Sequence, residues 1–278
     1  MKRGRRVAVL LTVFVLVLAG LAPAVAAKDT TPGLPVMVGL GDSWTYGQEA
    51  TDPATGGYFA LTHEALRSEL DCLPAQSANA RDGCKQLQAI NIARPAQNGL
   101  DGVTTQAVID EQLPVIVPLI ADRNGDANPR NDVEVIYLSA GGNDVSGPVI
   151  AACLFGTEEQ CNAAIPAQLS LVAGNLNTIL GELRAAAGPD TPIAVVTYDN
   201  PVPFCNLNAD PRAAALGQFL LGSLDGVTRG VAAAHGATVA TTLGQLGEGD
   251  WVGGTDCLHP TDSGHDKVAA IATAAVTG

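Results

Sequence analysis

Apolar residues gather into short runs at 36–40, 89–93, 133–139, 193–198 and 237–242. Short apolar runs of this kind read as strands buried on both faces. Between them lie longer stretches compatible with helices, at 57–70, 103–120, 164–187 and 212–235. A last amphipathic helix is expected over 263–277, capped by Thr261 or Asp262. Strands alternating with helices predict an α/β chain with a parallel sheet covered on both sides. Right-handed crossovers make a three-layer α/β/α sandwich the simplest topology. Every segment that follows a strand then emerges on the same edge of the sheet.

The start of the chain has a different pattern. Lys2, Arg3, Arg5 and Arg6 precede an uncharged, mostly apolar stretch over 7–20. Ala24-Val25-Ala26 offers a small-x-small cleavage site, with Val25-Ala26-Ala27 as the alternative. This predicts a cleaved secretory signal peptide over 1–27, since the apolar stretch is shorter than the ~20 residues of a spanning helix. A twin-arginine signal at Arg5-Arg6 is the variant reading. Residues 28–278 are expected to form one domain, because no linker, repeat or low-complexity tract divides them.

Without the first 27 residues the chain carries 11 basic against 28 acidic residues, a net charge of −17. Such a balance disfavours nucleic acid and anionic membrane as partners, because both need clustered Lys and Arg. No stable membrane insertion is expected after cleavage, and a monomer is. All six cysteines fall after residue 27. An even number in an exported chain reads as a disulfide set. Cys72 and Cys84 bracket a polar loop, Cys153 and Cys161 a shorter one, and Cys205 and Cys257 remain. Zinc is the competing reading, but no Cys-x2-Cys pair occurs, so no metal is expected.

Candidate chemistry collects at the predicted strand ends. The first run closes on Gly41-Asp42-Ser43-Trp44-Thr45-Tyr46-Gly47. A serine there projects into the cleft from a rigid scaffold, or else serves as an ordinary helix cap. The second run leads into Asn91-Ile92-Ala93 and then Gly99 and Gly102, glycines that allow close backbone approach. The third is followed by Gly141-Gly142-Asn143-Asp144, where an Asn amide can donate to an oxyanion. Near the end, Asp256-Cys257-Leu258-His259-Pro260 sets an Asp three residues before a His, within reach of its Nδ1. Pro260 disfavours helix at His259. Thr45 lies two residues after Ser43, so the Gly-x-Ser-x-Gly elbow of α/β-hydrolases is absent.

With these four blocks in this order, the chain resembles the SGNH, or GDSL-type, hydrolases, a family of serine esterases. Trp44 stands where the family name has leucine. The resemblance implies the SGNH hydrolase fold, with a flavodoxin-like central parallel sheet of about five strands. It implies Ser43 as nucleophile, His259 as base and Asp256 as the residue that orients it. The oxyanion would be held by the backbone N–H of Ser43, the backbone N–H of Gly102 (with Gly99 as rival) and the Asn143 side chain. The three inferred disulfides resemble those of the secreted lipase and phospholipase-like branch. A secreted ester hydrolase without cofactor follows, acting on a small-molecule or lipid ester. A carbohydrate O-deacetylase and a non-catalytic binding protein are the alternatives.

Other features are expected to be bland. His63, His235 and His265 lack an acidic partner at catalytic spacing and suit surface or packing roles. Residues 122–128 faintly suggest a calcium loop but lack its glycine and glutamate, so a solvated loop is expected. Trp44, Tyr46, Trp251 and the Cys153–Cys161 loop, with Val149, Ile150, Leu154 and Phe155, are candidates for the cleft border.

Overall fold

The computed structural model describes residues 33–69, 86–96, 102–127, 130–204, 211–253 and 256–278. The signal segment expected over 1–27, Cys72, Cys84, Gly99 and Cys205 lie outside these residues.

Five parallel strands form the central sheet: β1 (Val36–Gly41), β2 (Gln88–Asn91), β3 (Val133–Ser139), β4 (Ile193–Val196) and β5 (Thr238–Ala240). Their order is β2-β1-β3-β4-β5. The inner strands β1 and β4 are buried throughout, and β3 nearly so, whereas the edge strand β2 alternates between exposed and half-buried positions. That contrast is why the inner runs read as continuous apolar stretches in the sequence.

Helices α1 (Ser43–Tyr46), α2 (Pro53–Gly56) and α3 (Tyr58–Glu69) follow β1; α4 (Thr105–Ala107) and α5 (Leu113–Asn124) follow β2. After β3 come α6 (Gly142–Ile150) and α7 (Glu158–Ala187), after β4 comes α8 (Pro211–Ala234), and α9 (Asp262–Thr277) closes the chain. The connection from β1 to β2 runs one way along the sheet and every later one runs the other way. Right-handed crossovers therefore divide the helices between two faces. α3 packs on α9, while α5, α7 and α8 pack in series. The result is the three-layer α/β/α sandwich. The reversal lies between β1 and β3, and the crevice beyond their carboxyl ends is where such sheets bind ligands.

Three local features depart from the simple pattern. The expected helix over 103–120 is interrupted by a wide turn, Val108–Gln112, in which the Leu113 N–H returns to Val108. Pro114 has no N–H to offer the Asp110 carbonyl, and its ring crowds that oxygen. α7 starts at Glu158 rather than 164, because Thr157 and Gln160 form a reciprocal capping box. Finally, the chain adds a two-stranded antiparallel hairpin, β6 (Trp251–Gly253) and β7 (Asp256–Pro260), separate from the main sheet.

Candidate active site

The first strand delivers Ser43 through two constrained residues. Gly41 has φ +118°, and a side chain there would meet the Ser139 carbonyl oxygen at 2.0 Å, so only glycine fits. Asp42 is the N-cap of α1, its Oδ1 accepting from the Trp44 N–H at 3.1 Å. Ser43 therefore begins the helix rather than capping it, and its hydroxyl is not spent on the backbone. Gln112, from the widened turn, clamps the end of β1. Its Oε1 accepts from Gly41 N at 2.6 Å and its Nε2 donates to Gly41 O at 2.8 Å.

Asp256 and His259 come from β7. In a regular strand, residues three apart point to opposite faces and stand about 10 Å apart. Here β7 is bulged: Gly253 pairs with Asp256 and Trp251 with Pro260. One strand advances two residues while the other advances four, and the surplus bends β7 so that both side chains meet. The Asp256 Oδ1 also accepts from Leu258 N at 3.0 Å and His259 N at 3.3 Å, holding the bend. His259 Nδ1 lies 2.9 Å and 2.8 Å from the two carboxylate oxygens. A carboxylate only accepts, so Nδ1 carries the proton. His259 Nε2 then faces Ser43 Oγ at 2.9 Å as an acceptor. Ser43 and His259 are each 4% exposed. Burial pushes the Asp256 carboxyl up, but the hydrogen bonds from His259 and Leu258 outweigh it and hold the group below 3.8.

Gly102 and Asn143 form a second group. A side chain on Gly102 would lie 2.2 Å from Asn143 Oδ1 and 2.4 Å from Nδ2, so the two residues are in intimate contact. Asn143 Nδ2 donates one hydrogen to Val103 O at 3.0 Å. A carbonyl only accepts, so this bond fixes which end of the amide is nitrogen and leaves a second N–H to point elsewhere. The neighbouring Asp144 is buried and locks the same segment, accepting from Thr105 N at 2.8 Å and Thr105 Oγ1 at 2.7 Å. Asn175 Nδ2 donates to Thr105 Oγ1 at 2.9 Å.

Beneath Ser43 lies a buried polar cluster that the motifs did not reveal. Asp42 accepts from Ser139 Oγ at 2.6 Å and from Tyr198 Oη at 2.5 Å. Burial raises its pKa to about 6, against these bonds and that from the Trp44 N–H. Burial and the nearby Asp42 charge raise the Tyr198 phenol well above 10. Ser139 Oγ also bonds Thr45 Oγ1 at 2.7 Å, which bonds Tyr58 Oη at 2.7 Å. Tyr198 and Gln112 sit in ordinary contexts in the sequence, and no motif marks them; Thr105 closes the Gly102-Val103-Thr104-Thr105 block, with no sign there of its bond to Asp144.

His265 is fully buried, its Nε2 on Gln48 O at 3.0 Å and its Nδ1 accepting from Tyr58 N at 3.3 Å. His63 bonds Leu87 O and His235 bonds Asn177 Oδ1. Trp44 and Trp251 are buried against one another rather than lining a surface, and Val149 belongs to the core. Ile150 and Leu154 are half-buried, Tyr46 is partly open, and Phe155 is 85% exposed. Cys153 and Cys161 are disulfide-bonded.

The fold is shared with several hydrolases of known structure. The extracellular lipase from Streptomyces rimosus superposes with a TM-score of 0.58 at 18% identity, covering 87% of this chain and 100% of that one. Phospholipase A1 from Streptomyces albidoflavus NA297 gives 0.57 at 19% identity, covering 87% and 99%. A catalytic mutant of an acetylxylan esterase from Geobacillus stearothermophilus gives 0.55 at 13%, covering 87% and 94%. At these identities the likeness speaks to the fold. No curated protein matches the sequence. The family model of the GDSL-like lipases and acylhydrolases matches residues 40–267. With that match spanning most of the sequence and the same fold beneath it, the chain belongs to the GDSL-like lipase/acylhydrolase family.

Proposed function

We propose that this protein is a secreted serine ester hydrolase working through an acyl-enzyme on Ser43. The observation that carries the reading is the continuous line of hydrogen bonds from Ser43 Oγ through His259 to Asp256. Ser43 attacks the ester carbonyl while His259 Nε2 takes the hydroxyl proton. Asp256 stabilises the imidazolium that forms. The Ser43 and Gly102 backbone N–H groups and the second Asn143 Nδ2–H hold the oxyanion, and the loss of one such donor typically costs about 10²–10³ in turnover. His259 returns its proton to the departing alkoxide. A water molecule, deprotonated in turn by His259, then releases the acid and restores Ser43. Every step uses a group of this chain, with water as co-substrate.

The Cys153–Cys161 bond supports an oxidising destination, as do the six cysteines and the amino-terminal pattern. The apolar Leu154 and exposed Phe155 on that loop support an acyl chain as the substrate group. A chain-length series of p-nitrophenyl esters with the secreted protein tests the substrate. Ser43→Ala should abolish hydrolysis in a folded protein, and a fluorophosphonate should label Ser43 in the wild type. Labelling elsewhere, or turnover surviving in folded Ser43→Ala, overturns the reading.

A further inference from the structure

Among the described residues, the hairpin that carries His259 forms a sheet of its own, separate from the central sheet whose first strand leads to Ser43. Something must set their separation, because proton transfer depends on a short Oγ–Nε2 distance. Among the described residues, two hydrogen bonds join α1 to the hairpin. One is the Ser43–His259 bond itself. The other runs from Trp44 Nε1 to the carbonyl oxygen of Leu258, at 3.0 Å. Trp44 follows Ser43 in the chain, and Leu258 precedes His259.

The position of that carbonyl matters. The Leu258 C=O and the His259 N–H belong to one planar peptide unit. Its oxygen takes the Trp44 indole N–H, and its N–H gives to Asp256 Oδ1 at 3.3 Å. The plane from which His259 projects is thus gripped on one side by the nucleophile's helix and on the other by the histidine's own carboxylate partner. The indole is rigid and buried. It meets Tyr198 edge-on at 5.2 Å and Trp251, on β6, at 5.9 Å. One side chain therefore holds both strands of the hairpin against α1. A leucine here, as in the family's name, supplies no N–H.

We propose that Trp44 is a positioning residue that sets the reach of His259 to Ser43 through the Leu258 carbonyl. The proposal rests on the hydrolase reading above, and it extends the catalytic unit by one residue that touches no reacting atom. It predicts a loss in kcat, with KM little changed, when the N–H alone is removed. Small displacements of a catalytic group are costly, about 10²-fold for ~1 Å.

Trp251 supplies a matched control. Among the described residues its buried Nε1 has no hydrogen-bond partner, so Trp251→Phe removes a similar volume and an N–H that bonds to none of them. Purified Trp44→Phe and Trp251→Phe are compared with wild type on p-nitrophenyl acetate, at a temperature where circular dichroism shows all three folded. Trp44→Phe is expected to lose at least about tenfold more kcat than Trp251→Phe, with KM within about twofold. Equal losses in the two variants overturn the proposal and leave only packing. If Trp44→Phe does not fold, 3-benzothienylalanine at position 44, which keeps the bicyclic shape and lacks the N–H, takes its place under the same criterion. The low-field proton resonance of His259 Nδ1–H gives a readout independent of turnover. It should shift or broaden when the Trp44 N–H is lost and hold in Trp251→Phe; no change in the Trp44 variant overturns the proposal. Wild-type protein that neither hydrolyses esters nor reacts with fluorophosphonate would instead sink the hydrolase reading, with the resonance still deciding the tie.

Discussion

Tyr198 reaches Asp42 across a strand that lies between them. Tyr198 stands two residues beyond β4 and Asp42 one beyond β1, yet β3 separates those strands in the sheet. The phenol crosses over the end of β3 because Gly142 is there: a side chain on Gly142 would lie 3.1 Å from the ring. Its hydroxyl then donates to Asp42 Oδ2 at 2.5 Å, beside the proposed nucleophile. The glycines of the third block thus do more than turn the chain. Gly142 leaves room for the ring by which the loop after β4 reaches the cluster beneath Ser43, while Gly141 fits against Val172 and Leu224.

That buried carboxyl should leave a signature in the pH dependence of stability. Its pKa is raised from 3.8 to about 6, so it favours the folded state fully below 3.8, and this contribution is lost as pH rises through about 6. Asp42→Asn keeps the acceptor oxygen and cannot ionise. The stability of wild type relative to Asp42→Asn should therefore fall between pH 4 and 7, by on the order of 3 kcal/mol in urea titrations. Tyr198→Phe removes a bond that favours ionised Asp42, so the same fall should move to higher pH. A wild-type and Asp42→Asn pair with parallel pH profiles would refute the assignment.

His265 should show the opposite sign. Burial is the largest influence on it and lowers its pKa below 6.5, against the Gln48 bond and the charge of Asp262. Neutral His265 stabilises the fold above pH 6.5, and that contribution is lost as pH falls through the depressed folded value. Protonated Nδ1 could no longer accept from Tyr58 N. The stability advantage of wild type over His265→Gln is expected to be larger at pH 8 than at pH 5. Denaturant midpoints at the two pH values measure it.

Gly102→Ala should damage turnover with little loss of fold. A methyl group there collides with the Asn143 amide, which would be driven off Val103 O. A drop in kcat of about 10²-fold or more is expected, as for a lost oxyanion donor. The thermal midpoint should shift by only a few degrees, since the collision is local. Unchanged kcat would remove Gly102 and Asn143 from the proposed oxyanion site.

The cysteine reading is testable by non-reducing peptide mapping of the purified protein. Cys72–Cys84 and Cys205–Cys257 linked peptides are expected beside Cys153–Cys161. Cys257 lies between Asp256 and His259 in the bulged strand. A Cys205–Cys257 bridge would anchor that strand to the segment after β4. Cys205→Ser/Cys257→Ser should then lose more turnover than Cys72→Ser/Cys84→Ser, both compared while folded by circular dichroism. Equal turnover would assign the bridges to global stability alone.

Much of this architecture is written locally. The inner strands are legible because a strand buried on both faces must be apolar along its length; β1 and β4 are, and β3 departs from it only at Glu134 and its last residue, Ser139. Gly41, Asp42 and Ser43 are legible because one turn needs them all, and Asp256 and His259 because their partnership spans three residues. Locality also has limits within the sequence. The Thr157–Gln160 box and the effect of Pro114 on the helix before it are local signals, and reading apolar spacing alone passes over both. What only the tertiary structure decided are the bonds that cross the fold. Gln112 grips Gly41 from 71 residues away, Tyr198 reaches Asp42 over 156, and Trp44 meets Leu258 over 214. Their periodicity and propensity are those of ordinary helix and loop residues, because a hydrogen bond between distant segments leaves no trace in the local pattern of either one. The order of the strands brings such residues together at one edge, and that order emerges only when the whole chain has packed.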